Sequence, residues 1–184
     1  MAYLPSLPED AGVRHILSLN PAAGRALIEF HDAALRNASK LPPRDKELIA
    51  AYVSGLNACQ YCYGVHSETA KAFGVDTTLL EQMLANLDAA PVDARLKPIL
   101  AYARKLTLEP TKMTPSDAQA VFAAGWAESE LHDAVLTICL FNFMNRLLEG
   151  HGVKGNSALY QARGQALRDE GYAPLLQALP PLTR

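Results

Sequence analysis

The sequence predicts a single all-α domain. Apolar residues recur at helical spacing along almost the whole chain, and no run shows the strict apolar–polar alternation of a strand. Segments rich in Leu, Ala and Arg are separated by Pro, Gly and Asn, as expected for short loops between helices. With 184 residues, the chain is long enough for one hydrophobic core and too short for two independent domains.

Prolines mark the first two predicted helices. Asn20 followed by Pro21 has the pattern of an N-cap and a first helical residue, which predicts a helix to about Arg36. Two further prolines precede residues 44–47, where a second helix starts and runs towards Gly55.

A helix reversal is predicted next. Gly55, Asn57 and Ala58 break the second helix, and another helix starts near Cys59 and ends by Gly74. Because the break is short, we expect the two helices to fold back against each other.

Further helices follow in the second half of the chain. Asp76 is a suitable cap for a helix over 79–87, and the next helix covers about 93–108. Residues 114–117 resemble a capping box with proline at the first helical position. The helix at about 129–150 is the most apolar of the chain.

The chain ends with a predicted helix over 154–170 and a proline-containing arm from Pro174 onward. We therefore predict one domain over 1–184. Its motif-bearing core covers about 41–152, and a C-terminal helix and arm cover 153–184.

Composition and charge exclude several classes of protein. The net charge is −2, so no basic field favours nucleic acid. No apolar run approaches the roughly 20 residues that span a bilayer, and the start lacks the pattern of a secretory signal. We expect no nucleic-acid or membrane partner, and a cytoplasmic location in which thiols are mostly reduced.

Two of the three cysteines form a close pair. Cys59 and Cys62 are separated by two residues, whereas Cys139 lies alone among apolar residues and is expected to be a core side chain. In a reducing compartment, such a pair indicates redox catalysis or metal binding more than a structural disulfide.

An acid and an imidazole accompany this pair. If a helix starts at Cys59, then Cys59, Cys62 and His66 occupy positions i, i+3 and i+7 and share one face. Glu47, on the preceding helix, can fold back against that face. One carboxylate, two thiols and one imidazole are therefore expected to converge.

These residue types suit thiol chemistry. The positive end of a helix lowers the pKa of a thiol in the first turn, and the thiolate is the nucleophile. His66 can take the proton of Cys62, while Glu47 orients the imidazole or passes the proton onward. Attack on a peroxide leaves a sulfenic acid, which the second cysteine converts to a disulfide.

The motif E-x11-C-x2-C-x3-H resembles the alkylhydroperoxidase AhpD-like group of the carboxymuconolactone decarboxylase superfamily, close to its peroxidase-related branch. The segments LPPRDKELI at 41–49 and FNFMNR at 141–146 extend the resemblance over more than half of the chain.

The resemblance implies an all-helical AhpD-like fold in a homo-oligomer: a dimer, trimer or hexamer. It implies reduction of hydrogen peroxide or organic hydroperoxides without a cofactor or metal, with electrons from a thiol/disulfide donor protein or a small dithiol. The matching catalytic residues are Glu47, Cys59, Cys62 and His66. The family pattern makes Cys62 peroxidatic, as does its neighbour His66, whereas helix-dipole reasoning favours Cys59.

One position departs from AhpD itself, which has a histidine between the two cysteines where this chain has Tyr61. A phenol with a pKa near 10 is a poor proton shuttle at neutral pH. This departure from AhpD therefore implies slower peroxide turnover or a different substrate.

Other interpretations fit parts of the pattern. The dithiol could be inert, could sense redox state in a non-catalytic oligomer, or could bind zinc together with His66 and either Glu47 or His151. Asn142, Asn145, Arg146 and Glu149 form a polar stripe on an apolar helix. We expect an interface or an internal hydrogen-bond network with an Arg146–Glu149 pair, or else a pocket lined by Asn145 or Arg146.

Overall fold

The computed structural model describes residues 2–182, which contain 67% helix and no strand, so the all-α prediction is confirmed. The described helices are α1 (Val13–Ser18), α2 (Pro21–Leu35), α3 (Pro43–Leu56), α4 (Gln60–Ala72), α5 (Thr77–Ala85), α6 (Lys97–Leu108), α7 (Pro115–Ala123), α8 (Glu128–Gly150), α9 (Ser157–Glu170) and α10 (Pro174–Gln177), with a 3-10 turn at Pro110–Lys112. No helix within residues 2–182 is both long and apolar enough to cross a membrane.

The predicted helix starts have real caps. The Asn20 side chain accepts a hydrogen bond from the Ala23 N–H at 3.1 Å, and Asp76 caps α5 in the same way. At α7, the Asp117 carboxylate accepts from the Thr114 N–H at 2.7 Å, which completes the capping box. These ends are set by local side chains, and the sequence pattern located them correctly.

Two helices begin several residues later than predicted. The helix expected from residue 93 begins at Lys97, because Asp93 accepts the Arg95 N–H in a turn of its own. The helix expected from residue 154 begins at Ser157, because Asn156 is its cap. The short helices α1 and α10 were not predicted.

Helix α3 lies at the centre of the fold. Nine of its 14 residues are buried, and it packs against α4, α5, α6 and α8. Such burial on every face is typical of a core helix. The long helix α8 also contacts α2, α4 and α6, so α3 and α8 together form the frame around which the other helices pack.

Helix α9 packs closely on α4 because glycine removes a side chain at the crossing. A Cβ at Gly164 would lie 2.6 Å from the backbone carbonyl carbon of Glu68. A residue with a side chain could not take this position without moving one helix. This packing places α9 over α4 and brings the segment after α9, including Tyr172, onto the core.

Candidate active site

The reversal from α3 to α4 places Cys59 at a junction of two helices. The Cys59 N–H donates to the Ser54 carbonyl and the Ala58 N–H donates to the Gly55 carbonyl, both at 3.0 Å, which is a Schellman motif. Ala58 has φ of 54°, the left-handed conformation that usually requires glycine. Cys59 is then the N-cap residue of α4, so the predicted tight reversal is confirmed.

The two thiols of the motif are buried and not disulfide-bonded. Cys59 is 0% exposed and Cys62 is 3% exposed. The Cys62 S–H donates to Cys59, and this contact, aided by the Cys62 backbone N–H, holds the pKa of Cys59 below its usual value despite burial. The same hydrogen bond, together with burial, raises the pKa of Cys62 well above its usual value. Cys59 is therefore the thiol of the pair that ionises first.

Asn145 of α8 supports the pair from the opposite side. Its amide donates a hydrogen bond to Cys62, which acts to lower the pKa of that thiol against the larger effects of Cys59 and burial. The same amide group donates to the Ser54 hydroxyl at 3.0 Å, and its oxygen accepts from Asn57 at 2.9 Å. Asn145 is thus fixed by the turn that carries Cys59.

Asn142 and Asn145 of the polar stripe on α8 form an internal hydrogen-bond network through Asn57. The expected Arg146–Glu149 pair is wrong. Arg146 donates instead to the carbonyl and side-chain oxygens of Asn142 at 2.7 and 2.9 Å. Glu149 pairs with Lys154 at 3.0 Å. The stripe therefore contains hydrogen bonds within α8 and a separate ion pair between Glu149 and Lys154.

Glu47 is the centre of a second buried cluster. Its carboxylate is 0% exposed and accepts from His66 Nδ1 at 2.6 Å, Arg36 Nη2 at 2.7 Å and the Tyr172 hydroxyl at 3.0 Å. Burial acts to raise the pKa of Glu47, but the charges and hydrogen bonds of His66 and Arg36 outweigh it and lower the pKa overall. The carboxylate is therefore ionised, and His66 carries its proton on Nδ1.

Arg36 and Tyr172 were not predicted as site residues. A buried carboxylate requires a cation and further donors, but no spacing rule connects Glu47 with a tyrosine 125 residues away. The Arg36 guanidinium also lies 4.9 Å from the centre of the Tyr172 ring and donates to the Leu167 carbonyl at 2.9 Å. The C-terminal segment thus completes the site.

A cavity of about 330 Å³ opens beside these groups. Cys62 and His66 line it, whereas Cys59 does not. Most of its wall is apolar, including Leu17, Ile28, Val65, Phe141, Met144 and Leu148. A small molecule in this cavity would meet the sulfur of Cys62 and the imidazole of His66 in mostly apolar surroundings.

His31 also lines the cavity, which the sequence did not predict. His31 Nδ1 donates to the Leu27 carbonyl at 2.6 Å. Burial is the main cause that lowers the pKa of His31 to about 4. His31 is therefore a neutral wall of the cavity at physiological pH.

Tyr61 packs as an ordinary buried aromatic residue. Its ring makes an edge contact with Tyr160 at 6.0 Å between centroids, and its hydroxyl accepts the Val13 N–H at 3.4 Å. Burial raises the pKa of Tyr61 above 10, so the phenol stays protonated at neutral pH. Tyr61, at the position of the histidine in AhpD, thus lines the cavity.

The zinc interpretation has no ligand set to support it. Within residues 2–182, no three His, Cys, Asp or Glu side chains are grouped to hold a metal ion. His66 directs Nδ1 to Glu47, and His151 directs Nδ1 to the Leu147 carbonyl at 2.7 Å.

The prediction for Cys139 is wrong. This thiol is exposed, although it lies among apolar residues in the sequence. The reason is the position of α8, whose inner face carries Ile138 and Phe141 and whose outer face carries Cys139. A neighbouring apolar residue in a helix does not fix which face a thiol occupies.

Comparison with known proteins agrees with this fold. The model of the carboxymuconolactone decarboxylase family matches residues 21–105, which include Glu47, Cys59, Cys62 and His66. No curated protein is significantly similar to the chain.

Several solved structures share the fold. An uncharacterized peroxidase-related protein from Silicibacter sp. TM1040 is 25% identical, with a TM-score of 0.75 over 83% of this chain and 79% of its own. A second peroxidase-related protein, with an alkylhydroperoxidase AhpD core, from Ralstonia eutropha JMP134 is 22% identical, with a TM-score of 0.73 over 81% and 78%. A protein of unknown function from Agrobacterium tumefaciens, provisionally called an antioxidant defence protein AhpD, is 18% identical, with a TM-score of 0.67 over 75% and 93%. The match of the family model over residues 21–105 and the shared fold support the predicted resemblance to the AhpD-like group of the carboxymuconolactone decarboxylase superfamily.

Proposed function

We propose that the protein is a thiol peroxidase that reduces hydroperoxides through a dithiol–disulfide cycle of Cys59 and Cys62. The observation that carries the proposal is a reduced thiol pair whose member Cys62 shares a cavity with His66, itself bonded to the buried Glu47. The electron donor is a second dithiol, either a small molecule or a thiol/disulfide protein. No haem, flavin or metal takes part in this scheme.

The first step is attack by the Cys62 thiolate. Once Cys59 is ionised, the Cys62 proton crosses the S–H···S hydrogen bond to it, which leaves the thiolate on Cys62. The thiolate then attacks the terminal oxygen of the hydroperoxide, so that an S–O bond forms and the O–O bond breaks. Cys62 becomes a sulfenic acid, and an alkoxide leaves.

His66 relays a proton from solvent to this leaving alkoxide. Its Nδ1–H donates to Glu47, so Nε2 is the nitrogen that takes up the proton and delivers it in the cavity. The ionised Glu47 holds the imidazole ring in place and balances its charge during the transfer. The alkoxide leaves as an alcohol.

The second step closes the disulfide. Cys59 loses its proton and attacks the sulfur of the Cys62 sulfenic acid, so that an S–S bond forms and the S–O bond breaks. The departing hydroxide takes up one proton and leaves as water. The external dithiol then returns two electrons and two protons, which restores both thiols.

The cavity favours organic hydroperoxides over hydrogen peroxide. Its mostly apolar wall and volume of about 330 Å³ suit an alkyl or aryl group, whose burial adds binding energy. Hydrogen peroxide is small enough to enter the cavity, but it has no apolar group whose burial against this wall would add binding energy. We therefore expect both peroxides to react, and the organic one to bind more tightly.

The direct test is steady-state consumption of cumene hydroperoxide with dithiothreitol. The wild type should turn over many times, Cys59→Ser and Cys62→Ser should lose turnover, and Cys139→Ser should match the wild type. A non-catalytic redox sensor would instead oxidise once and stop. Full activity in both single variants of the motif would refute the mechanism.

A further inference from the structure

Glu149 has an acceptor oxygen that no hydrogen bond satisfies. One carboxylate oxygen, Oε2, accepts from Lys154 at 3.0 Å. The other, Oε1, is buried and has no partner among residues 2–182. A buried acceptor without a donor is unfavourable, so such a group calls for an explanation.

Glu149 is in the last turn of α8, one turn beyond Asn145, which bonds to Ser54 and Asn57 in the turn that carries Cys59. Residues four apart share a helix face, so Glu149 lies on the side of α8 that faces this turn. Cys59 lies close enough that its S–H can donate to Glu149, and the carboxylate acts to raise the pKa of Cys59. Its charge also acts on Cys62, but as the smallest of the influences there.

The other charged and titratable groups around this contact are few. The charge of Lys154 balances that of Glu149. Cys59 and Tyr3 also act electrostatically on Lys154. Tyr160 of α9 faces both thiols, and burial raises its pKa, so it stays neutral. Cys62 is the remaining partner of Cys59.

We propose that Glu149, held by Lys154, is the proton acceptor for Cys59 when this thiol attacks the sulfenic acid of Cys62. The inference rests on the proposed function and adds a second proton path to it. The Cys59 proton passes to the Glu149 carboxylate as the S–S bond forms, and Glu149 later releases it to solvent. The hydroxide that leaves Cys62 on the side away from Cys59 takes up a proton from solvent and leaves as water. Once the Cys62 proton has crossed to Cys59, this S–H can donate to the buried Oε1, which has no other donor among residues 2–182.

This arrangement separates the two proton transfers in space. Glu47 and His66 serve the cavity side of Cys62, where the alkoxide leaves. Glu149 serves the opposite thiol, which does not reach the cavity. Loss of Glu149 should therefore slow disulfide closure without slowing formation of the sulfenic acid.

The kinetic test uses Glu149→Gln in the full-length chain, which keeps the shape but cannot take the proton. After mixing with cumene hydroperoxide, trapping with dimedone and mass spectrometry should show sulfenic acid forming within about twofold of the wild-type rate, with disulfide closure slower by about a hundredfold, the usual size of a general-base effect. Closure in the variant should recover as the pH rises. Closure at the wild-type rate with an unchanged pH profile would overturn the proposal.

A second test does not depend on peroxide chemistry. In a Cys62→Ser, Cys139→Ser background, Cys59 is the sole thiol of the chain, and its thiolate absorbance at 240 nm can be followed against pH. Glu149→Gln should lower the Cys59 pKa, and Lys154→Met should raise it, each by roughly one unit, or about tenfold in thiolate fraction. Glu128→Gln, at the exposed start of α8, is the matched control. Shifts of the same sign, or none, would overturn the role of Glu149, whereas absent peroxide turnover in the wild type would refute the peroxidase alone.

Discussion

The Nδ1 atom of His66 lies 2.6 Å from Oε2 of Glu47, and this carboxylate is completely shielded from solvent. Two helices that reverse within three residues bring the pair together, although 19 positions separate them in sequence. Arg36 supplies the counter-charge that makes a buried carboxylate tolerable. The site therefore depends on an ion cluster that is also part of the core.

Removing the charge of Glu47 should damage both stability and activity. Glu47→Gln keeps the volume but leaves the buried Arg36 guanidinium without a carboxylate, which should cost about 3 kcal/mol of unfolding free energy. Because His66 loses the group that orients it, peroxide turnover should fall by about a hundredfold. Urea unfolding and steady-state kinetics measure the two effects.

The control for this substitution is Glu109→Gln. Its carboxylate is half exposed and pairs with Lys112, so neither stability nor turnover should change measurably. If Glu47→Gln behaved like this control, the carboxylate could not be the support of His66.

The neutral, buried His31 should make the protein acid-sensitive. Its pKa is about 4 in the folded protein and 6.5 ordinarily, so the unfolded chain binds the extra proton as pH falls below 6.5. Stability should therefore drop by about 2 kcal/mol between pH 7 and pH 5. Glu47, with its lowered pKa, adds a further loss only below its ordinary value of 4.5.

Urea unfolding at both pH values tests this assignment. His31→Phe removes the titrating group and should flatten most of the difference, whereas the exposed His132→Gln should keep it. An undiminished pH dependence in His31→Phe would show that another group is responsible.

The cavity should select substrates by size. Ala166 of α9 lines it, and a leucine at this position would occupy part of its volume. We expect Ala166→Leu to lower kcat/KM for cumene hydroperoxide about tenfold, because one lost subsite is worth one to a few kcal/mol. Turnover of hydrogen peroxide should stay within about twofold of the wild type.

The matched control is Ala162→Leu on the exposed face of the same helix, which should leave both substrates unaffected. Equal losses for the large and the small peroxide in Ala166→Leu would contradict binding in this cavity.

The left-handed backbone at Ala58 should tolerate glycine and reject valine. A β-branched side chain at φ of 54° is strongly disfavoured, so Ala58→Val should cost about 2 kcal/mol, whereas Ala58→Gly should be neutral or slightly stabilising. Ala127→Val is the control, because that N-cap has an extended backbone with φ of −92°. Chemical denaturation measures all three, and an equal effect of valine at both positions would argue against strain at residue 58.

The sequence predicted the parts of the site that depend on local spacing. Cys59, Cys62 and His66 follow from helical periodicity, and the break after Gly55 predicted the reversal that brings Glu47 to His66. Arg36, Tyr172 and Glu149 depend on long-range packing, and no local pattern connects them with the thiols. Cys139 was misplaced because periodicity on α8 gives no sharp boundary between its buried and exposed faces.

Oxidation of the reduced protein by a single equivalent of cumene hydroperoxide tests the central claim most directly, with the products identified by mass spectrometry. The account predicts one Cys59–Cys62 disulfide, one equivalent of cumyl alcohol and a free Cys139, with full restoration by dithiothreitol. Unreacted hydroperoxide, or oxidation confined to the exposed Cys139, would contradict it.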